Sequence, residues 1–141
     1  MCLTAEAQCT IPPMKSARLF TLLGSILLAL SAIFHAVGFI PISRRIAAGP
    51  MESQLGSVLK AFWLTFSVLL IALALIAVLA QSMERGGTIV LLCAAGNAVT
   101  AGVSFYFLGL FVGVYLLAAV TVLFLIGGWF QFRSTSTIDR G

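Results

Sequence analysis

Four apolar blocks of about twenty residues, each long enough to cross the ~30 Å hydrocarbon core of a bilayer as a helix, fill most of this chain. A sequence patterned in this way points to an all-α fold, an integral membrane four-helix bundle. Hydrophobic residues make up 61% of it and charged residues 9%, with a mean hydropathy of +1.15. In water such a composition would expose far too much carbon, so lipid must cover it and the bilayer is its first expected partner. A length of 141 residues suits one bundle without a second domain, and no internal repeat is evident.

The expected spans are about 19–40, 58–80, 88–107 and 110–130, within a bundle covering 18–132. Residues 1–17 read as a short disordered leader, and 133–141 as a polar tail. Met14-Lys15-Ser16-Ala17-Arg18 has the form of an ordinary start followed by a positive flank, so residues 1–13 are expected to be a mis-called extension that is not translated. The first span is longer than a signal-peptide core and has no small-residue cleavage site after it, which makes it a retained anchor. Pro41 to Ser57, with Gly49-Pro50, Glu52 and Gly56, reads as the largest loop, and Gln81 to Gly87 as a tight polar turn. The third boundary has no charge at all; Gly109 and length place it, since residues 88–130 are about twice what one crossing needs.

Four spans put both ends of the chain on one side. That side carries Lys15, Arg18, Arg85, Arg133 and Arg140, against Arg44, Arg45 and Lys60 on the other, and the positive-inside rule then favours cytoplasmic termini. Trp129, Phe130 and Phe132 would form the inner aromatic belt, and Phe39, Phe62, Trp63 and Phe105 to Phe107 the outer one. The formal charge of +4 is scattered at the ends of apolar blocks, as topology signals are, and forms no stripe able to neutralise several phosphates. Nucleic acid is therefore not an expected partner.

Polar residues within the spans fall at helical spacing. Cys93, Asn97, Thr100 and Ser104 share one face of the third helix, and Gly24, Ser31, His35 and Gly38 share one face of the first. Lipid offers no hydrogen-bond partner, so both stripes are expected to turn inward, where they could face each other. With a rise of about 1.5 Å per residue, His35 would lie roughly 8 Å outward of its helix midpoint, between the levels of Thr100 and Ser104. Trp63, Thr65, Ser67 and Tyr115 come to similar depths on the antiparallel helices.

An outer-half pocket of His35, Asn97, Thr100, Ser104, Tyr115 and Trp63 is one reading, with His35 as its readily titratable member. The other reading is packing: a histidine held by a hydroxyl or a carbonyl, an asparagine bonded between helices, and close contacts at Gly24, Ser31, Gly38, Gly109 and Gly113, the last two forming a GxxxG pair. Cys2, Cys9 and Cys93 have neither redox nor zinc spacing, and Cys93 in an apolar run is a small hydrophobe.

Absences narrow the function. No Asp or Glu lies inside a span, which disfavours proton-coupled exporters of the small multidrug resistance type. One histidine is a poor haem ligand set, paired cysteines of quinone-linked disulfide enzymes are missing, and so are the intramembrane charges of membrane glutathione transferases. No metal and no cofactor is expected, and one histidine without a carboxylate or thiol partner is a weak acid–base system.

In length, span number and the opening of the first helix, Arg18-Leu19 with Gly24 and then His35-Ala36-Val37-Gly38, the chain resembles the DoxX-like group of small bacterial membrane proteins. Where that group often has a Lys soon after the glycine, Phe39-Ile40-Pro41 follows here. The resemblance implies a four-helix bundle associated with quinone-linked or other membrane oxidoreductase systems. Two functions remain in view: an accessory or assembly subunit acting through helix faces on another membrane protein or a second copy, and a small transporter or hydrophobic-ligand protein using the pocket.

Overall fold

The computed structural model describes residues 14–49 and 54–138. The leader up to residue 13, with Cys2 and Cys9, lies outside the described residues, as do 50–53 and 139–141. Four helices account for nearly all of the rest: α1 Met14–Ala47, α2 Gln54–Ala80, α3 Gly86–Leu108 and α4 Val112–Ile138. Each contains a window apolar enough to cross a membrane, and the shortest, at 23 residues, is about 34 Å long. The protein is an all-α membrane four-helix bundle.

Close approaches fix the directions. Gly24 of α1 lies against Phe124 of α4, Gly38 of α1 against Trp63 of α2, and Gly87 and Leu91 of α3 against Gly128 of α4. Residue numbers rise on one helix as they fall on its neighbour, so the bundle runs up and down, and Ala17 of α1 comes beside Gly127 of α4. Both ends of the described chain are thus on one side. Contacts join α1 to α2 and α4, and α4 to α3, while the α2–α3 seam is the thinnest and the diagonals hardly touch.

The interior is built from small residues around a few large ones. Ala74, Ala77 and Ala80 of α2 and Ala94 of α3 are buried, and Phe124, Leu28 and Val90 fill the space between them. The outside is apolar too: Phe34, Phe62, Leu92 and Val99 are each about two-thirds exposed or more, as suits side chains solvated by acyl tails. Buried hydroxyls close onto their own helices, Thr21 donating to the Ala17 carbonyl, Ser25 to Thr21 and Ser31 to Leu27. Without water, the carbonyl one turn back is the nearest acceptor.

The helix ends differ from the sequence expectation in one place above all. Pro41, expected to begin a loop reaching Ser57, lies inside α1, which continues to Ala47, and α2 begins at Gln54. A proline removes one backbone donor but does not oblige the chain to stop. Here the following turn is held by Ile46, which is buried, by Ser43 donating to the Ile40 carbonyl, and by Arg44 and Arg45 at the negative end of the helix dipole. Helix likewise starts at Met14, inside the expected leader, and α4 runs to Ile138, through most of the expected tail. Gly109 divides α3 from α4 as expected, with φ +73° and ψ −162°, a conformation open essentially to glycine alone.

Candidate functional site

His35 is the most elaborately held polar side chain in the bundle. Its ring stacks on Trp63 of α2, with centroids 4.2 Å apart and planes 14° from parallel, and tilts against Phe66 at 4.9 Å. Nδ1 lies 2.9 Å from the Ser67 hydroxyl, and the Trp63 indole N–H donates to the His35 backbone carbonyl at 2.8 Å. Trp63, Phe66 and Ser67 share one face of α2 by their three- and four-residue spacing, and Gly38, one turn beyond His35, leaves room for the indole edge at 3.6 Å. The cluster is therefore an α1–α2 clamp as well as a polar site.

Two proton arrangements satisfy it. Either Nδ1–H donates to Ser67, whose hydroxyl donates on to the Trp63 carbonyl at 3.4 Å, or Ser67 donates to Nδ1. Nε2 is an acceptor in the first case and a donor in the second. In both it has no hydrogen-bond partner among the described residues, and His35 is only partly buried.

Asn97 forms a second, separate polar centre. It is fully buried, and its Nδ2 donates to the Leu117 carbonyl at 2.7 Å and to the Thr121 hydroxyl at 2.9 Å, both on α4. Thr121 donates in turn to the Leu117 carbonyl. Oδ1 is buried with no hydrogen-bond partner.

The residues grouped by sequence as one pocket are not brought together. The α1 stripe meets α2 and α4, and the α3 stripe meets α4, because α1 and α3 are diagonal. Gly24 lies beside Phe124, and Gly128 beside both Gly87 and Leu91, so His35 comes level with roughly residues 102–106 of α3 but on the helix diagonally across the bundle from it. Thr100 donates to its own Gly96 carbonyl, Ser104 is half-buried, and Tyr115 is 59% exposed on the lipid side of α4. Trp63 alone of the group touches His35.

The small residues divide similarly. Gly24 is a true close contact, since a Cβ there would come 2.7 Å from the Phe124 ring. Ser31 is buried and bonded within α1. Gly109 meets nothing within 4 Å and serves the chain turn, and at Gly113 the space is taken by the ring of Phe111, two residues back, so neither is a helix–helix contact. Close helix–helix approaches that sequence reading passed over include Gly127, which faces Thr21 of α1, and Gly128, which faces Gly87 and Leu91 of α3. Adjacent glycines a hundred degrees apart on α4 thus serve two neighbours, a Gly-Gly signal visible in the sequence.

Among the described residues, no three His, Cys, Asp or Glu side chains gather as metal ligands would. Compared with protein-family models, curated proteins and solved structures, the chain matches none of them. Its class, a small four-span membrane protein, rests on helix length, apolar surface and packing.

Proposed function

We propose that this protein is a non-enzymatic accessory or assembly subunit of the bacterial cytoplasmic membrane, with cytoplasmic termini, which contacts other membrane helices through the outer face of α3. One observation carries the reading. Gly96 and Gly102, at the two edges of the exposed face of α3 and about 120° apart around it, meet open space, with nothing within 4 Å of where a Cβ would stand, and Ala95, Ala98 and Val99 beside them are exposed. In lipid, helix association gains from close backbone approach at small residues, so such a face is suited to a further helix. The glycines at 24, 87, 127 and 128 already serve contacts within the bundle; those at 96 and 102 do not. The likeness of Arg18-Leu19, Gly24 and His35-Ala36-Val37-Gly38 to the DoxX-like group belongs to the same proposal, and makes membrane oxidoreductases the partners to look for.

The test is purification in mild detergent with the double variant Gly96→Leu, Gly102→Leu beside the parent. The expected result is a stoichiometric partner or second copy with the parent, and its loss from a still helical, monodisperse variant. A parent that purifies alone, or a variant that keeps the complex, overturns the proposal. Reporter fusions at both termini test the orientation.

The clamp at His35 favours a second reading, a binding site for a hydrophobic molecule with a hydroxyl or carbonyl head. Nε2 is the supporting atom, since either proton arrangement leaves it one hydrogen bond to offer. His35→Ala should then abolish retention of a co-purifying small molecule without lowering the yield of folded protein. Equal loss of both would assign His35 to packing alone.

A further inference from the structure

On the lipid-facing side of the bundle, close to the end that holds Met14 and Ile138, lies a shallow groove of about 360 Å³. Its walls are Leu91 of α3 and Leu125, Ile126, Trp129 and Phe130 of α4. Leu125 and Trp129, like Ile126 and Phe130, are four residues apart, so the groove runs along the axis of α4. Arg133 is the next step of the same spacing, and its guanidinium carbon stands 4.9 Å from the centroid of the Trp129 ring. From Leu125 to Arg133 is about 12 Å. A carbon-lined trough therefore ends at a cation held in place by an aromatic face.

Arg133, Arg85, Lys15 and Arg18 are exposed at this end of the bundle, and Glu84 is the one carboxylate side chain among the described residues. A groove that is apolar for two helical turns and cationic at its mouth has the pattern of an acyl chain joined to a phosphate. A lipid with a balancing ammonium group would meet excess positive charge there.

We propose that this groove is a selective site for an anionic phospholipid, one acyl chain lying along Leu125, Ile126, Trp129 and Phe130 and the phosphate resting against Arg133. Ordinary annular lipid would exchange at this surface without regard to headgroup. The site instead favours anionic lipid, by about five-fold if Arg133 contributes as a single juxtamembrane cation, which corresponds to about 1 kcal/mol.

The chain has two tryptophans, and Trp63→Phe leaves Trp129 as the sole emitter. This variant is reconstituted in vesicles of unlabelled phosphatidylcholine containing either acyl-brominated phosphatidylglycerol or acyl-brominated phosphatidylcholine, and quenching of Trp129 is compared. The expected result is about five-fold stronger occupancy by the anionic lipid, falling towards parity in high salt and with Arg133→Gln, and retained with Arg133→Lys. Equal quenching by the two lipids overturns the proposal, and so does a preference that survives Arg133→Gln. As a measurement free of the tryptophan change, native mass spectrometry of the unmodified chain from an equimolar mixture of the two lipids should show one bound phosphatidylglycerol in excess. Equal retention of the two would overturn it independently.

Discussion

Asn97 of α3 donates from its amide to the backbone carbonyl of Leu117 on α4 at 2.7 Å, and the geometry of that bond leaves the other end of the same amide without a partner. Turning the amide over would set Oδ1 against the Leu117 carbonyl, acceptor to acceptor, so the orientation is fixed. The gain from the two Nδ2 bonds is thus offset by a desolvated Oδ1, whose burial costs about 1–3 kcal/mol. Asn97→Leu should consequently be mild, within about 1 kcal/mol of the parent, because interhelical hydrogen bonds in membranes average about 0.6 kcal/mol. Asn97→Asp should be far worse, by about 3 kcal/mol or more, since an anion there faces a carbonyl in a dry interior. Unfolding midpoints in mixed micelles, compared at one pH, test the order, and a leucine variant weaker than the aspartate variant would refute it.

Close contacts at glycine give a second ranking. At Gly87 an added Cβ would meet the backbone of Gly128 and Phe132 at 2.5–2.9 Å, and backbone cannot swing aside. At Gly24 the obstacle is the Phe124 ring, which has rotamer freedom, although it is fully buried. Overpacking costs about 1–3 kcal/mol, and Gly87→Ala should fall at the upper end and Gly24→Ala at the lower. Gly96→Ala and Gly102→Ala, which meet open space, should leave the isolated bundle as stable as the parent or slightly more so, because alanine is the better helix former. Thermal denaturation of the four variants in one detergent decides this.

Gly109 gives a third prediction, local to the α3–α4 turn. Its φ of +73° with ψ of −162° belongs to a region that a side chain enters at a cost of about 1–3 kcal/mol. Gly109→Ala should lower stability by that amount although nothing crowds the site, and insertion of a second glycine beside it should be tolerated. If Gly109→Ala matched the parent, the turn in solution would not have this conformation.

The span count and the place of the last turn could be read from the sequence because both follow from length. Residues 88–130 are too long for one crossing, and Gly109 is where the chain can reverse. Pro41 misled because its local rule is weaker than the packing of Ile46 beyond it. The polar residues were identifiable one by one, but not their partners. Periodicity tells which face of a helix is polar, whereas the partner depends on how neighbouring helices cross. Gly24, His35 and Gly38 share one face of α1, yet near its start that face meets Phe124 of α4 and further along it meets Trp63 and Ser67 of α2. A helix crossing two neighbours offers the same stripe to each in turn, so stripes on α1 and α3 need not meet even when both point inward.

The His35 clamp yields the last prediction, because its stack and its hydrogen bond can be separated. His35→Phe keeps a flat ring on Trp63 and loses the bond to Ser67; Ser67→Ala keeps the histidine and loses the same bond; His35→Ala loses both. Aromatic stacking is worth about 0.5–1.5 kcal/mol beyond area burial, and a membrane hydrogen bond about 0.6 kcal/mol. His35→Phe and Ser67→Ala should therefore each cost less than about 1 kcal/mol, whereas His35→Ala should cost about 2–3 kcal/mol once the cavity is included. The Trp63 indole N–H donates to the backbone of residue 35, a bond that none of these variants removes, so α1 and α2 stay in register throughout. Unfolding measured by tryptophan emission from a Trp129→Phe background reports on this site alone. Ser67→Ala as damaging as His35→Ala would mean that the hydrogen bond, and not the stacked ring, holds the two helices together.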